Sequence, residues 1–474
     1  MAGSPVMGGY QDFLARKAQL DTADGFDPIH LPDTLFGFQR DLTDWALRQG
    51  RGAIFADCGM GKTLMELSWA DNVHRHTGRP VLLLTPLAVG FQIVAEAERF
   101  GFDAAMSRDG TVAAPITVTN YEQIDKFTPD DFAGVVCDES SALKAFDGVR
   151  RVQVTEFMKK RRYRLLGTAT AAPNDYMELG TSSEALGHLG YMDMLNRFFV
   201  NDNQTSDIKA QRTKSQKWTR GSAGAGWRFK GHAVDHFWRW VSSWARAIRK
   251  PSDFGYPDDG FILPGLHHRV HVVEARTVRE GHLFDTDAVG LAEEREELRR
   301  TIGERCDTAA ALLDGTEPGV AWCHLNDESR RLATLIDGAV EVAGSDPPEA
   351  KEEKLAAFSR GDIRVLVTKP SIGAWGLNWQ HVNRMTFFPS HSYEQYYQAV
   401  RRMWRFGQTR DVTVDVVTTR GMSNVMDSLD AKSRRADAMF AALVAHMNDA
   451  LLIDRQRAAF TTPMEVPPWL SRTS

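Results

Sequence analysis

Three groups of residues in this chain are of types and spacings that could work on a phosphate anhydride. The first is Asp57-Cys58-Gly59-Met60-Gly61-Lys62-Thr63, set directly after the apolar run Ala53–Ala56 and before a helical pattern. Strand, glycine loop and helix together let backbone N–H groups curl around phosphate oxygens, with the helix N-terminus adding its positive end. Gly59, Met60 and Gly61 then form the cradle, Lys62 neutralises the outer phosphates, and the Thr63 hydroxyl holds Mg²⁺. The second group closes the run Val135-Val136-Cys137-Asp138-Glu139. A buried strand ending in two carboxylates places them at the C-terminal edge of a sheet, beside the phosphate loop. Asp138 is expected to bind Mg²⁺ and Glu139 to orient or deprotonate the attacking water. Alone, such a pair would read as a solvated helix cap; after a phosphate loop the catalytic reading prevails. The third group is Arg402 and Arg405, three apart and so on one helical face. A forked guanidinium on a facing domain reaches transition-state phosphate charge only when a cleft closes; alone, Arg401–Arg405 would read as a solvated basic helix face.

These groups need a scaffold that brings distant segments to one edge. Short β-branched runs alternate with longer helical patterns, which predicts parallel sheets with crossover helices. The expected strands are Ala53–Ala56, Val81–Thr85, Ile116–Thr119, Val135–Cys137 and Arg164–Leu166, then Val320–Cys323, Val340–Ala343, Arg364–Thr368, Arg384–Phe388 and Val412–Thr418. The rhythm predicts an N-terminal extension (1–34), an α/β domain (35–189), a basic insertion with a helical subdomain (190–265), a second α/β domain (266–425), and a C-terminal helix and tail (426–474). A Glu/Arg-rich stretch from Thr277 to Leu313 reads as one or two solvent-exposed helices.

Composition narrows the class. The chain has 474 residues, 43% apolar and 25% charged, with a formal net charge of −5. Those are globular values. The longest apolar stretch, around Val81–Pro86, is far below the roughly 18 residues that span a bilayer, so no membrane partner is expected. The start MAGSPVMGGY lacks a signal-peptide pattern, and four scattered cysteines suit a reducing, cytoplasmic setting, in a bacterial or an infected host cell.

Taken together, the motifs resemble the superfamily 2 helicases, specifically the Swi/Snf-type double-stranded DNA translocases, over about residues 35–432. Leu35-Phe36-Gly37-Phe38-Gln39-Arg40 is similar to the family's adenine-reading segment, with Gln39 placed to bond the base. Thr85-Pro86 and Thr119-Asn120-Tyr121 sit where the family contacts a nucleic-acid strand. Gly167-Thr168-Ala169-Thr170, then Asn174 and Glu178-Leu179, resemble the segment that couples hydrolysis to domain movement. Gly373–Asn378, including Gly376 and Asn378, is similar to the segment that contacts both ATP and DNA. Gln395–Gln408 follows the arginine-finger helix, with Gln398, Arg402, Arg405, Gly407 and Gln408 on the family's positions.

There are departures from the family pattern. Ser140-Ser141 replace the family's Ala-His, Ala169 replaces a proline, and Lys369-Pro370-Ser371 replaces Ser-Thr-Arg. A serine hydroxyl could still reach the coupling segment, over a shorter distance and without charge. The variant set is similar to compact members found in bacteriophages. The resemblance implies an α/β fold of two tandem RecA-like domains with parallel sheets, with ATP and Mg²⁺ as cofactors and DNA, expected as duplex, as partner.

A segment outside these motifs adds a second signal. From Asn201 to Lys250 there are eleven Lys and Arg residues against three Asp, inside a chain that is net acidic. Trp218, Trp227, Phe229, Trp238 and Trp240 are interleaved. Basic charge engages phosphates and aromatic rings stack on bases. Trp238 and Trp240 are expected in a core, and Lys209, Arg212, Lys214, Lys217 and Arg220 on DNA.

The resulting expectation is a monomeric ATP-dependent DNA helicase or translocase with little sequence specificity, unless a protein partner supplies it. A strand-separating DNA or RNA helicase is one alternative. A nucleotide-switched DNA-binding module without productive turnover is another.

Overall fold

Val81-Leu82-Leu83-Leu84-Thr85 has no position to offer water, so it can be a strand only where both faces of a sheet are covered. The computed structural model describes residues 24–87, 89–145, 148–172, 176–201, 222–223, 227–275, 290–373 and 377–461. In it this run is an interior strand and every residue of it is buried. The strands of the first half are β1 (Arg51–Ala56), β2 (Val81–Thr85), β3 (Ala104–Met106), β4 (Ile116–Asn120), β5 (Gly134–Cys137), β6 (Tyr163–Thr168), β7 (Phe199–Asn201), β8 (Ser222–Ala223), β9 (Trp227–Phe229) and β10 (Ala245–Ile248). Seven of them form a parallel sheet in the order β10-β1-β6-β5-β2-β4-β3. The other three make a small antiparallel sheet.

Alternation along each strand feeds two cores. Leu82, Leu84, Ala53, Phe55, Val135 and Cys137 face one side, while Val81, Leu83, Ile54, Ala56 and Val136 face the other. Helices α1 (Gly37–Gln49), α2 (Lys62–Thr77) and α3 (Gly90–Phe100) cover the second side. Helices α4 (Gly148–Lys159) and α5 (Ala233–Trp244) cover the first. Each buried Leu or Val side chain contributes roughly 1.5–3 kcal/mol, so sheet and helices stabilise one another.

The second half carries β11 (Leu266–Val273), β12 (Gly319–Trp322), β13 (Ala339–Val342), β14 (Val365–Thr368), β15 (Arg384–Phe387) and β16 (Val412–Thr419). They form a second parallel sheet in the order β11-β16-β15-β12-β14-β13. The relevant helices are α6 (Pro348–Arg360), α7 (Tyr393–Arg401) and the 39-residue α8 (Ser423–Thr461). The chain is thus an α/β protein with two parallel sheets flanked by helices, the architecture of two tandem RecA-like domains.

The structure differs from the sequence expectation at the sheet edges. β3, β10 and β11 were not among the expected strands. β3 is three residues long, and β10 (Ala-Arg-Ala-Ile) lacks a β-branched run, so neither carries a strong strand signal. β10 has a second consequence: the stretch 190–265 is not separate from the first sheet. It returns to pair with β1, Ala53 opposite Ala245. Trp238 is buried and Trp240 packs against the same core, as expected of them, while Phe229 and Trp227 join that core and are not offered to bases.

Arg246, counted in the basic excess, is also buried, 4.4 Å over the Trp45 ring. The Glu/Arg-rich helices Leu291–Arg300 and Ile302–Leu312 are not purely solvated either. Glu297, Arg305, Cys306 and Ala309 are buried, and Arg305 pairs with Glu328 at 2.6 Å. α8 leaves the second half and lays Met439, Phe440, Leu443 and Val444 into the core of the first.

Candidate active site

Because every strand of the first sheet runs the same way, the ends of β1, β2, β4, β5 and β6 share one edge. Register fixes their spacing: Phe55 lies opposite Thr168, and Leu166 opposite Cys137. The glycine loop, expected to cradle phosphate, follows β1. Gly59 (φ +92°) and Gly61 (φ +76°) take left-handed backbone that a Cβ disfavours. A Cβ on Gly61 would also stand 2.2 Å from Gln39 Nε2, and one on Gly59 2.7 Å from the Phe406 amide nitrogen. Gln39 Nε2 donates to the Met60 carbonyl at 2.9 Å, and its Oε1 accepts the Phe36 N–H at 3.0 Å. Gln39, expected to read a base, here ties the loop to the start of α1.

Behind the loop, Lys62 Nζ lies 3.3 Å from Glu139 Oε1, both side chains being nearly buried. Burial alone would lower the Lys62 pKa, but the neighbouring carboxylates, Glu139 foremost, raise it above the ordinary lysine value. Asp138 Oδ1 accepts the Glu139 N–H at 2.9 Å and Oδ2 accepts the Thr85 hydroxyl at 3.2 Å. Burial, then the charge of Glu139, pushes the Asp138 carboxyl up to about 7. Among the described residues, Glu139 is the one non-glycine with positive φ, at 47°. Such backbone costs an L-residue roughly 1–2 kcal/mol, and it aims the carboxylate back at Lys62. Glu139 Oε2 has no hydrogen-bond partner among the described residues.

A further buried carboxyl, Glu66 on α2, is likewise unpartnered at both oxygens, and burial drives its pKa well above the ordinary range. It presses on Gly167, where a Cβ would stand 1.8 Å from Glu66 Oε1.

The second half supplies the opposite wall. A cavity of about 210 Å³ is lined by Gly59, Lys62, Thr63, Asp138 and Glu139 from one side and by Asn378, Arg402 and Arg405 from the other. The two arginines differ. Arg402 is fully buried, with Nε donating to the Gln398 carbonyl (3.2 Å), Nη1 to the Leu377 carbonyl (2.9 Å) and Nη2 to Gln398 Oε1 (2.7 Å). Arg405 makes one long bond to the Leu377 carbonyl at 3.4 Å, and its Nε is buried without a partner. Burial, and then Arg402, lowers its pKa below that of an ordinary guanidinium. Arg402 therefore braces the second half, while Arg405 keeps donors available for an anion.

The donor set fits Mg²⁺ held mainly by a nucleotide and water. A hydroxyl (Thr63) and a buried carboxyl (Asp138) line one cavity, and among the described residues no group of three or more His, Cys, Asp or Glu forms an all-protein metal cage.

Of the residues expected to couple hydrolysis to movement, Thr170 meets the second half of the chain directly. The Thr170 hydroxyl donates to Glu394 Oε1 at 3.2 Å and accepts Gln398 Nε2 at 3.5 Å. Thr168 Oγ1 accepts the Thr170 N–H at 3.0 Å. The expected hydroxyl link from Ser140 or Ser141 is not made, since neither hydroxyl has a partner among the described residues. The main chain makes the link instead: Ser140 N–H donates to the Gly167 carbonyl at 2.8 Å.

The expected nucleic-acid residues separate. Thr85, Thr119 and Asn120 are buried, and Thr85 serves Asp138; Pro86 remains half-buried. The side chains of Thr85, Thr119 and Asn120 do not face solvent, because each ends or lies within a two-sided strand. Lys209, Arg212, Lys214, Lys217, Arg220 and Gly376 lie outside the described residues, as does Asn174. A larger cavity of about 680 Å³ opens beside the loop, between α3 and α6, and shares Gln92, Glu96 and Asn378 with the smaller one.

Sequence reasoning missed Asp57, Glu66, Glu394, Tyr397, Arg401 and Phe406. Helical spacing held the signal for three of these: 394 and 401 lie about one turn either side of 398, and 397 lies about one turn from both 394 and 401.

No family model matches the chain, and no curated protein matches it. Among solved structures it is similar to the Sulfolobus solfataricus SWI2/SNF2 ATPase core in complex with dsDNA, at 16% identity and a TM-score of 0.40, over 88% of this chain and 96% of that chain.

Proposed function

We propose that this chain hydrolyses ATP between its two halves and uses the cycle to move along DNA, preferentially duplex, with little sequence preference. The observation that carries the reading is the single cavity in which Lys62 and Glu139 of one half face Arg405 of the other. The loop amides and Lys62 would bind the β- and γ-phosphates. Glu139 would take a proton from a water as its oxygen attacks the γ-phosphorus and the bond to the bridging oxygen breaks, releasing ADP and phosphate. Arg405 would meet the charge that develops on the transferring group. Mg²⁺, held by Thr63 and Asp138, would supply further neutralisation of the phosphates when bound.

Movement needs the chemistry to be felt by the cleft. Thr170, Glu394 and Gln398 bridge the two halves next to β6, so opening and closing would break and remake those bonds. The two motor domains are taken as about 35–189 together with β10, and about 266–425. The basic excess between them would grip phosphates without reading bases.

The test is phosphate release by the purified protein with duplex DNA, single-stranded DNA, RNA or no polynucleotide. Stimulation by duplex DNA, abolished by Lys62→Ala, is the expected result. Displacement of a third strand from blunt duplex, without separation of a fork, would mark translocation. Fork separation would mark a helicase, and absence of turnover on every polymer would reject the reading.

A further inference from the structure

Asp57 begins the phosphate loop, yet its carboxylate is engaged from the other half of the chain. Oδ1 accepts the Cys58 N–H at 2.6 Å and also the Tyr397 hydroxyl, while Oδ2 pairs with the Arg401 guanidinium. The side chains of Arg401 and Asp57 are only 11% and 8% exposed, so the pair is nearly desolvated. Tyr397 and Arg401 are one turn apart on α7 and face the same way. Arg401 is itself held: its guanidinium lies 4.5 Å over the Trp404 ring and 5.3 Å over the Tyr397 ring. Trp404 is pinned in turn by its Nε1–H to the Pro264 carbonyl at 2.7 Å. Asp57 lines the nucleotide cavity, whereas Arg401 and Tyr397 are absent from its walls.

We propose that Arg401 and Tyr397 form an inter-domain latch on Asp57, which docks α7 behind the phosphate loop and sets Arg405 over it. They are positioning residues, since they touch the loop's carboxylate and not the phosphates. The latch works with the Thr170 contacts of Glu394 and Gln398, so successive turns of α7 are fastened to the first half. Opening the cleft would exchange the Arg401–Asp57 attraction for hydration of both charges, so the pair fixes where the two halves dock. Removing one partner would leave the other charged and unpaired in the interface. With both partners in place the closed cleft is accessible to the nucleotide-free chain, whereas with one removed closure would bury an uncompensated charge. Its effect on turnover rests on the hydrolytic reading above; its effect on domain closure does not.

The experiment compares the full chain with Arg401→Ala and Tyr397→Phe, the latter losing only one hydroxyl. Small-angle X-ray scattering of the nucleotide-free proteins reads closure, and steady-state phosphate release reads turnover. The latch predicts a larger radius of gyration for Arg401→Ala and a smaller increase for Tyr397→Phe. It also predicts kcat lowered about 10²-fold in Arg401→Ala, the usual penalty for misplacing a catalytic group by an ångström, with KM for ATP much less affected. Arg401→Lys keeps the charge but not the fork or the stacking, and should restore closure only in part. Scattering unchanged from wild type in both Arg401→Ala and Tyr397→Phe would overturn the latch. A wild-type protein without turnover would instead reject the hydrolytic reading, and scattering alone would then decide the latch.

Discussion

Lys62 Nζ and Glu139 Oε1 are 3.3 Å apart although 77 positions separate them in the chain. One residue opens the helix after β1 and the other follows β5, and β6 runs between those strands. The parallel direction of all three strands delivers both side chains to one edge. The left-handed backbone of Glu139 then turns its carboxylate inward.

That geometry makes Glu139 separable by chemistry and by backbone. Glu139→Gln keeps the size and removes the base, so turnover is expected to fall by about 10²–10⁴-fold with ATP binding retained. Glu139→Asn should be equally inactive but more stable than Glu139→Gln by about 1 kcal/mol, because asparagine tolerates left-handed backbone. Phosphate release, nucleotide titration and chemical denaturation of the two variants check both statements.

Arg402 and Arg405 should part company when mutated. Arg402 holds Gln398 and Leu377 with its whole fork, so Arg402→Ala is expected to cost about 2–4 kcal/mol of stability. Arg405 braces little, so Arg405→Ala should leave the melting temperature nearly unchanged and reduce turnover by about 10³-fold or more. Calorimetry alongside phosphate release distinguishes them. Equal losses of stability would contradict the division of labour.

His188 should make the fold sensitive to acid. Its ring stacks on Trp244 at 5.9 Å, and burial, opposed weakly by the Arg51 carbonyl, pushes its pKa down to about 4. The folded chain resists protonating a ring that the unfolded chain protonates near 6.5. The stability this gives is present above that value and is lost as pH falls towards about 4. A fully buried ring would account for about 3 kcal/mol over that window, and partial solvent contact reduces this to about 2 kcal/mol. His188→Phe keeps a stacked ring without the titration. Melting temperatures from pH 7 to 4 should therefore fall less steeply in the variant than in wild type.

The sequence made the central strands legible because two-sided burial leaves an unbroken apolar run, as in Val81–Leu84. It made the glycine loop and the Asp138–Glu139 pair legible because a site that is to hold phosphate constrains both residue type and local spacing. β3 and β10 were not legible. An edge strand gets its stability from the partner it pairs with, and Ala-Arg-Ala-Ile says little until β1 and Trp244 are beside it. The basic excess misled in the same way for Arg246, whose charge is folded under against Trp45.

What the sequence determined by itself was the local machinery: a loop that can cradle phosphate, a strand that ends in carboxylates and a helix that carries arginines. Each is encoded within a dozen residues, through backbone conformation and helical or strand period. Only the tertiary structure decided which arginine remains available and which is a brace. It also decided that Thr85 supports Asp138, that main chain replaces the serine hydroxyls at Gly167, and that Asp57 answers to Arg401. Those outcomes depend on contacts between segments tens to hundreds of positions apart, whose distances are set by strand order and by how the two sheets face each other.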